Sequence, residues 1–216
     1  MSFQEHYNQK SYKKISRFRK ESILSFIDKK QAMILDIGCS DGDMGFFIKQ
    51  SKQASVFGLD ISEKAIMEAQ KKLDGAFVFD ISNKLLNFPN GLSNKKFDYI
   101  IISEVLEHLL YPENILENIK ILMHENSKVI VTVPNVLFWK NRLKIFFGKF
   151  DYQDEGLMDR GHIHFFTWDS LNKIIEEMGY DFVGIKNNTP TRFTNIFGKF
   201  FPGLFAYQFA ICIKKR

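Results

Sequence analysis

Cysteine is scarce in this chain. The two copies in 216 residues, Cys39 and Cys212, are far apart and lack the paired spacing of a metal knuckle. That excludes a disulfide framework and points to a reducing, cytoplasmic setting. No apolar run approaches the roughly 20 residues needed to span a bilayer, and residues 1–20 are polar and charged rather than leader-like. Internal repeats and low-complexity linkers are missing too, so one domain over residues 1–216 is expected. Excess charge is small. A formal +5 is compatible with an anionic or phosphorylated partner but too weak alone to argue for nucleic acid. What the chain does have is apolar mass: 45% hydrophobic residues, including 23 Phe, ample for a sizeable core.

The most informative stretch runs from Ile34 to Gly45. Residues 33–37 are an apolar run that reads as a strand covered on both faces. Gly38 and Gly42 allow a tight turn and close approach of a ligand, and residues 44–48 suit a helix. The order Gly38-x-Ser40-x-Gly42-x-x-Gly45 departs from the dinucleotide pattern G-x-G-x-x-G. Asp36, two residues before the first glycine, suits a cationic or hydrogen-bond-donating ligand better than a pyrophosphate. The stretch resembles the first motif of class I S-adenosylmethionine-dependent methyltransferases, D-x-G-x-G-x-G. Ser40 stands at the middle glycine, for which a slight change in loop packing is expected.

Two further acids follow at strand ends. Asp60 closes an apolar strand over residues 56–60, 22 positions after Gly38, near the spacing of a ribose-binding acid. Ser62 then caps a helix with Ala65, Ile66 and Ala69 inward. A third strand over residues 76–80 ends at Asp80. The resemblance implies that Asp80 accepts from the adenine amino group, with Ile81 or Phe79 on the purine face. Residues 97–102 form a fourth strand, and the run Ser103-Glu104-Val105-Leu106-Glu107-His108-Leu109 resembles the E-V-L-E-H-L stretch of these enzymes. It implies that Ser103 and Glu104 sit near the methionine end of the cofactor. A fifth strand spans residues 128–133. A helix capped by Thr167 has Leu171, Ile174, Ile175 and Met178 inward, and two last strands, residues 180–187 and 204–213, suit the family's antiparallel ending. The expected fold is therefore α/β: a Rossmann-like three-layer sandwich with a seven-stranded, mostly parallel sheet and an antiparallel last strand.

Two segments stand outside this alternation. Residues 1–30 read as a helical arm, with Tyr7 or Tyr12 available to cover the cofactor. Residues 136–161 mix Phe, Trp, Lys and Arg before a polar, acidic stretch. They read as a substrate cap or lid, with a peripheral membrane-surface helix as the alternative.

Methyl transfer from a sulfonium needs a positioned acceptor and, for a hydroxyl, a base. The expected catalytic residues are His164, His162 and His108. The expected cofactor contacts are Asp36, Gly38, Ser40, Gly42, Asp60, Ile61, Asp80, Ile81, Ser103 and Glu104. A divalent metal is the lesser expectation. Its candidates, Glu104, Glu107, His108 and His164, resemble the E-x-x-E-H…H site of methyltransferases acting on vicinal hydroxyls. The layout Val133-Pro134-Asn135, then Arg160 to Thr167, resembles small-molecule and surface-glycan O-methyltransferases. That implies a sugar, sugar phosphate or polysaccharide-precursor acceptor, with Arg142, Lys144, Arg160 and Arg192 available for a phosphate. The rival readings are an RNA 2′-O-methyltransferase and a non-catalytic cofactor-binding scaffold.

Overall fold

A computed structural model describes residues 15–154, 156–188 and 201–216. Seven strands form one sheet: β1 (Met33–Ile37), β2 (Ser55–Asp60), β3 (Gly75–Val78), β4 (Phe97–Ser103), β5 (Met123–Pro134), β6 (Tyr180–Asn188) and β7 (Gln208–Lys215), in the order β3-β2-β1-β4-β5-β7-β6. The first five pair in parallel. β7 runs antiparallel to both β5 and β6. The expected seven-stranded sheet with an antiparallel ending is what forms. The proposed arm residues Tyr7 and Tyr12, and Arg192, lie outside the described residues.

The parity of side chains along each strand builds two cores. Leu35, Ile37, Leu59, Ile100, Ile102, Val129 and Val131 fill one face. Ile34, Val56, Tyr99, Ile101, Ile130 and Cys212 fill the other. The second face is covered by α1 (Arg17–Leu24), α2 (Asp43–Lys52) and α3 (Glu63–Ala69), through Ile23, Met44, Ile48, Ile66 and Ala69. On the first face lie α5 (Pro112–Asn118) and α7 (Trp168–Glu177), through Ile115, Leu116, Leu171 and Ile175. Between β3 and β4 sits the one-turn α4 (Asn90–Ser93). Helix α6 (Trp139–Phe146) follows β5.

Local chemistry sets the element ends. The Ser62 hydroxyl accepts from the Ala65 N–H at the start of α3, and Thr167 and Ser170 form a reciprocal capping box at α7. The last segment departs from the expected strand over residues 204–213. Pro202 opens a short helix, α8 (Pro202–Phe205), and pairing starts only at Gln208. Proline at a first helical turn loses no hydrogen bond there. β5 also starts earlier than expected, at Met123. There the Ser127 hydroxyl donates to the Phe97 carbonyl and accepts from the His124 N–H, bridging the register shift between Phe97 and Tyr99.

The tips of β1 and β4 are in direct contact. Gly38 has φ +73°, and a Cβ there would lie 2.4 Å from Cγ2 of Val105. Gly38→Ala therefore meets both left-handed backbone strain and overpacking. It should lower unfolding free energy in urea titration by roughly 2–4 kcal/mol. A variant as stable as the parent would remove this account of the tip packing.

Candidate active site

Because β1 to β5 run parallel, their carboxyl ends share one edge, where ligands bind in such sheets. A cavity of about 550 Å³ follows that edge. Asp80, Phe79 and Ile81 line it beyond β3, and Asp60 and Ile61 beyond β2. Asp36, Gly38 and Ser40 line it at β1, and Ser103, Glu104, Glu107 and His108 at β4. Every expected cofactor contact except Gly42 lines this space. Gly42 is buried one step behind, with φ +79°, where it starts α2 against Ala69. Ser40 itself holds φ +50°. A left-handed serine costs on the order of 1 kcal/mol relative to glycine, so the departure at this position touches the backbone and not packing alone.

The acids at the first three tips differ in environment. Asp36 is 2% exposed and its Oδ2 has no hydrogen-bond partner among the described residues. Burial, and then the charge of Asp60, push its carboxyl up to about 7. Asp60 accepts from the backbone N–H groups of Ser40 (2.8 Å) and Ser62 (2.9 Å). Burial raises its pKa, and N–H groups of Ser62, Ser40 and Ile61 pull it back. Asp80 is exposed and accepts from the Ser82 N–H at 2.8 Å. Beside it Phe79 stacks on Phe88, with centroids 5.5 Å apart.

The β4 end is a connected polar cluster. The Ser103 and Thr132 hydroxyls are 2.9 Å apart, and the Thr132 hydroxyl donates to Glu104 Oε1 at 3.2 Å. The other Glu104 oxygen accepts from the Arg19 guanidinium of α1 at 3.3 Å. Glu104 holds φ +57°, a conformation that costs energy in any residue but glycine. Glu107 is fully buried, and neither carboxylate oxygen has a hydrogen-bond partner among the described residues. Burial, reinforced by the negative charge of Glu104, holds its pKa well above the ordinary carboxylate range.

Backbone bonds bring the distant histidines here. The Glu107 carbonyl accepts from the N–H groups of Ile163 (2.8 Å) and His164 (3.0 Å). That docks residues 161–164 onto the 3-10 turn Leu106–His108. His162 Nε2 then lies 4.0 Å from Glu107 Oε1, and the His108 and His162 rings meet edge-on at 4.9 Å. His108 Nδ1 is 2.8 Å from the Gly161 carbonyl. A carbonyl only accepts, so Nδ1 carries a proton. His164 does not line the cavity. Its Nε2 donates to the Leu110 carbonyl at 3.0 Å. The residues whose ligating atoms lie within 4.8 Å of one another are Glu107, His108 and His162. Glu104 and His164 are not in that cluster.

The bases considered for a phosphate are elsewhere. Arg142 donates to the carbonyls of Leu137 and Gly203, Arg160 faces Asp154 at 3.5 Å in the open, and neither these nor Lys144 lines the cavity. Among the lining residues that sequence reasoning overlooked are Arg19, Asp159 and Tyr207. Tyr207 is carried in by β7, one residue before the pairing of Gln208 with Pro134. Nothing local to these residues announces the role.

Comparison with known proteins agrees with this geometry. A SAM-dependent methyltransferase from Archaeoglobus fulgidus superposes with a TM-score of 0.64 at 21% identity, covering 92% of this chain and 96% of that one. Magnesium protoporphyrin IX methyltransferase from Synechocystis PCC 6803, solved with bound SAH, superposes with a TM-score of 0.64 at 16% identity, covering 99% and 97%. An uncharacterised protein of Methanocaldococcus jannaschii is 23% identical over 150 residues, 69% of this chain and 40% of that protein's own length. The methyltransferase-domain family matches residues 3–184, and the chain belongs to it.

Proposed function

We propose that this protein binds S-adenosylmethionine along the cavity and transfers its methyl group to a hydroxyl of a small polar acceptor, a sugar or polysaccharide precursor. The adenine end lies at Asp80, Phe79 and Ile81, the ribose at Asp60, and the amino-acid end at Asp36. The observation that carries the reading is the buried carboxyl of Glu107, without a hydrogen-bond partner among the described residues, beside His162 and His108 and next along the edge from the three acids.

The reaction is an in-line displacement. An oxygen lone pair of the acceptor attacks the methyl carbon, the carbon–sulfur bond breaks, and its electron pair stays on sulfur as the thioether of S-adenosylhomocysteine. The hydroxyl proton passes to His162, since imidazole is suited to that step near neutral pH. Glu107, whose Oε1 lies 4.0 Å from His162 Nε2, faces the positive charge that grows on the ring. His108, whose ring lies edge-on to that of His162, helps position the acceptor. Around this end Arg19 is paired with Glu104, and Asp159 adds a further acid. That favours an uncharged, hydroxyl-rich acceptor; a phosphate, where present, would sit outside the cavity.

His162→Ala and Glu107→Gln should lower turnover by about 10²–10⁴-fold while S-adenosylhomocysteine affinity by calorimetry changes less than about twofold. The assay is S-adenosylhomocysteine release across a panel of hydroxylated acceptors. Full turnover in both variants would remove the base assignment. The compact set of Glu107, His108 and His162 also favours a second reading, in which it holds a divalent cation that polarises the acceptor hydroxyl. Excess EDTA should then abolish turnover and restored Mg²⁺ or Mn²⁺ should recover it; an unchanged rate in EDTA decides for the metal-free base.

Asp36 gives a pH signature. In the ligand-free protein its carboxyl is neutral below about 7 and charged above. A cationic ammonium binds the charged form, so cofactor affinity should rise between pH 6 and 8, and Asp36→Asn should flatten that rise. The stability sign is opposite. A folded pKa raised from 3.8 to about 7 means the folded state binds the extra proton, so stability falls as pH climbs through that window. Urea titration of Asp36→Asn should show a smaller fall than the parent. A parallel pH profile in the two proteins would count against a buried charge at this position.

A further inference from the structure

Helix α6 leaves the body of the fold with its apolar side outward. Successive residues turn by about 100°, which places Phe146, Trp139, Leu143 and Phe147 on one arc of roughly 100°. Phe146 is 81% exposed, Phe147 71% and Leu143 50%. The inward side is held by Asn141, which is buried and donates to the Val136 carbonyl. Gly148, with φ +71° and open space around it, ends the helix. Beyond it Phe150 and Tyr152, both about half exposed, pack on Phe165.

The charges on this element are all of one sign. Residues 139–150 carry Lys140, Arg142, Lys144 and Lys149 and no acid. Arg142 falls on one flank of the apolar arc, and Lys140 and Lys144 on the other. None of the four forms an ion pair among the described residues. Two exposed phenylalanines between flanking bases match the chemistry of a bilayer interface, where rings enter the acyl boundary and long basic side chains reach the headgroups. No helix among the described residues is long and apolar enough to cross a membrane, so such contact would be peripheral.

We propose that α6 and the residues to Phe150 dock the protein on an anionic lipid surface. The same excursion from the sheet also supplies Gly156, Asp159 and His162 to the cavity wall. Docking thus holds the cavity beside the bilayer, where an acceptor built on a lipid carrier would be presented. The surface does not depend on the reaction proposed above, and its test needs no turnover.

The experiment is co-sedimentation of the full chain with vesicles of phosphatidylcholine alone or mixed with phosphatidylglycerol. Binding is expected to the anionic vesicles only, and to weaken as salt rises. Each of Lys140→Ala, Lys144→Ala and Lys149→Ala should weaken it about fivefold, the equivalent of about 1 kcal/mol per base. Phe146→Ser with Phe147→Ser should weaken it roughly tenfold or more. S-adenosylhomocysteine affinity and thermal unfolding of that variant should match the parent, since both rings lie on the surface. No sedimentation, equal sedimentation with uncharged vesicles, or unchanged binding by the phenylalanine variant would each overturn the proposal. So would light scattering that finds a dimer which the phenylalanine variant splits, or tight RNA binding that needs the lysines but not the rings.

Discussion

Buried carboxyl groups without hydrogen-bond partners among the described residues are the constraint around which this fold is organised. Asp36 and Glu107 are both removed from water, and both keep oxygens that no described group satisfies. Their protonation equilibria move upward for the same first reason, desolvation. Leaving such groups unmade costs about 1–3 kcal/mol each, more when charged. A fold retains groups of this kind where a ligand relieves them. Asp36 lies on β1 with β2 and β4 on either side, and its side chain faces the cavity. Glu107 is fixed with equal firmness, because its own carbonyl clamps residues 163 and 164.

The sheet order turns these local costs into one site. Its acids appear in space as β3, β2, β1, β4, so Asp80, Asp60, Asp36 and Glu104 succeed one another along a single edge. The turns that complete the edge are strained as well. Ser40 and Glu104 both adopt left-handed backbone although neither is glycine. Each faces the cavity, and each has its conformation held by a bond: the Ser40 N–H by Asp60, the Glu104 carboxylate by Thr132 and Arg19. Strain at these two points is therefore imposed by the surroundings.

What could be read from the sequence was whatever depends on near neighbours. The apolar runs, the strand-end acids and the caps at Ser62 and Thr167 declare themselves within a few residues, and the sheet followed from them. The failures share a cause. His162 and His164 are two positions apart, and an extended segment would turn both to one side. Two long-range bonds to the Glu107 carbonyl set the local backbone instead, and only His162 enters the cavity. Arg19 belongs to α1. It enters the site only because α1 passes the end of β4, where Glu104 meets it. Tyr207 depends on the register of β7 against β5, which no stretch around residue 207 encodes. The start of β7 was misplaced because Phe and Leu before it read as strand, whereas Pro202 starts a helical turn.

The distribution of charge bears on what kind of acceptor can enter. Lys and Arg outnumber Asp and Glu by 30 to 25 over the whole chain, yet the acceptor end of the cavity has the opposite balance. A phosphate placed between Glu104 and Asp159 would meet like charge in a poorly screened space, with Arg19 already engaged by Glu104. A neutral hydroxyl meets acceptors and an imidazole, which is the environment its proton needs. The bases that the sequence offers are on the outer face of α6, where screening is strong and where single charges act together only against an extended anionic surface. On the two proposals made above, the acidic pocket would select an uncharged reacting group and the basic outer face would attract the surface that delivers it.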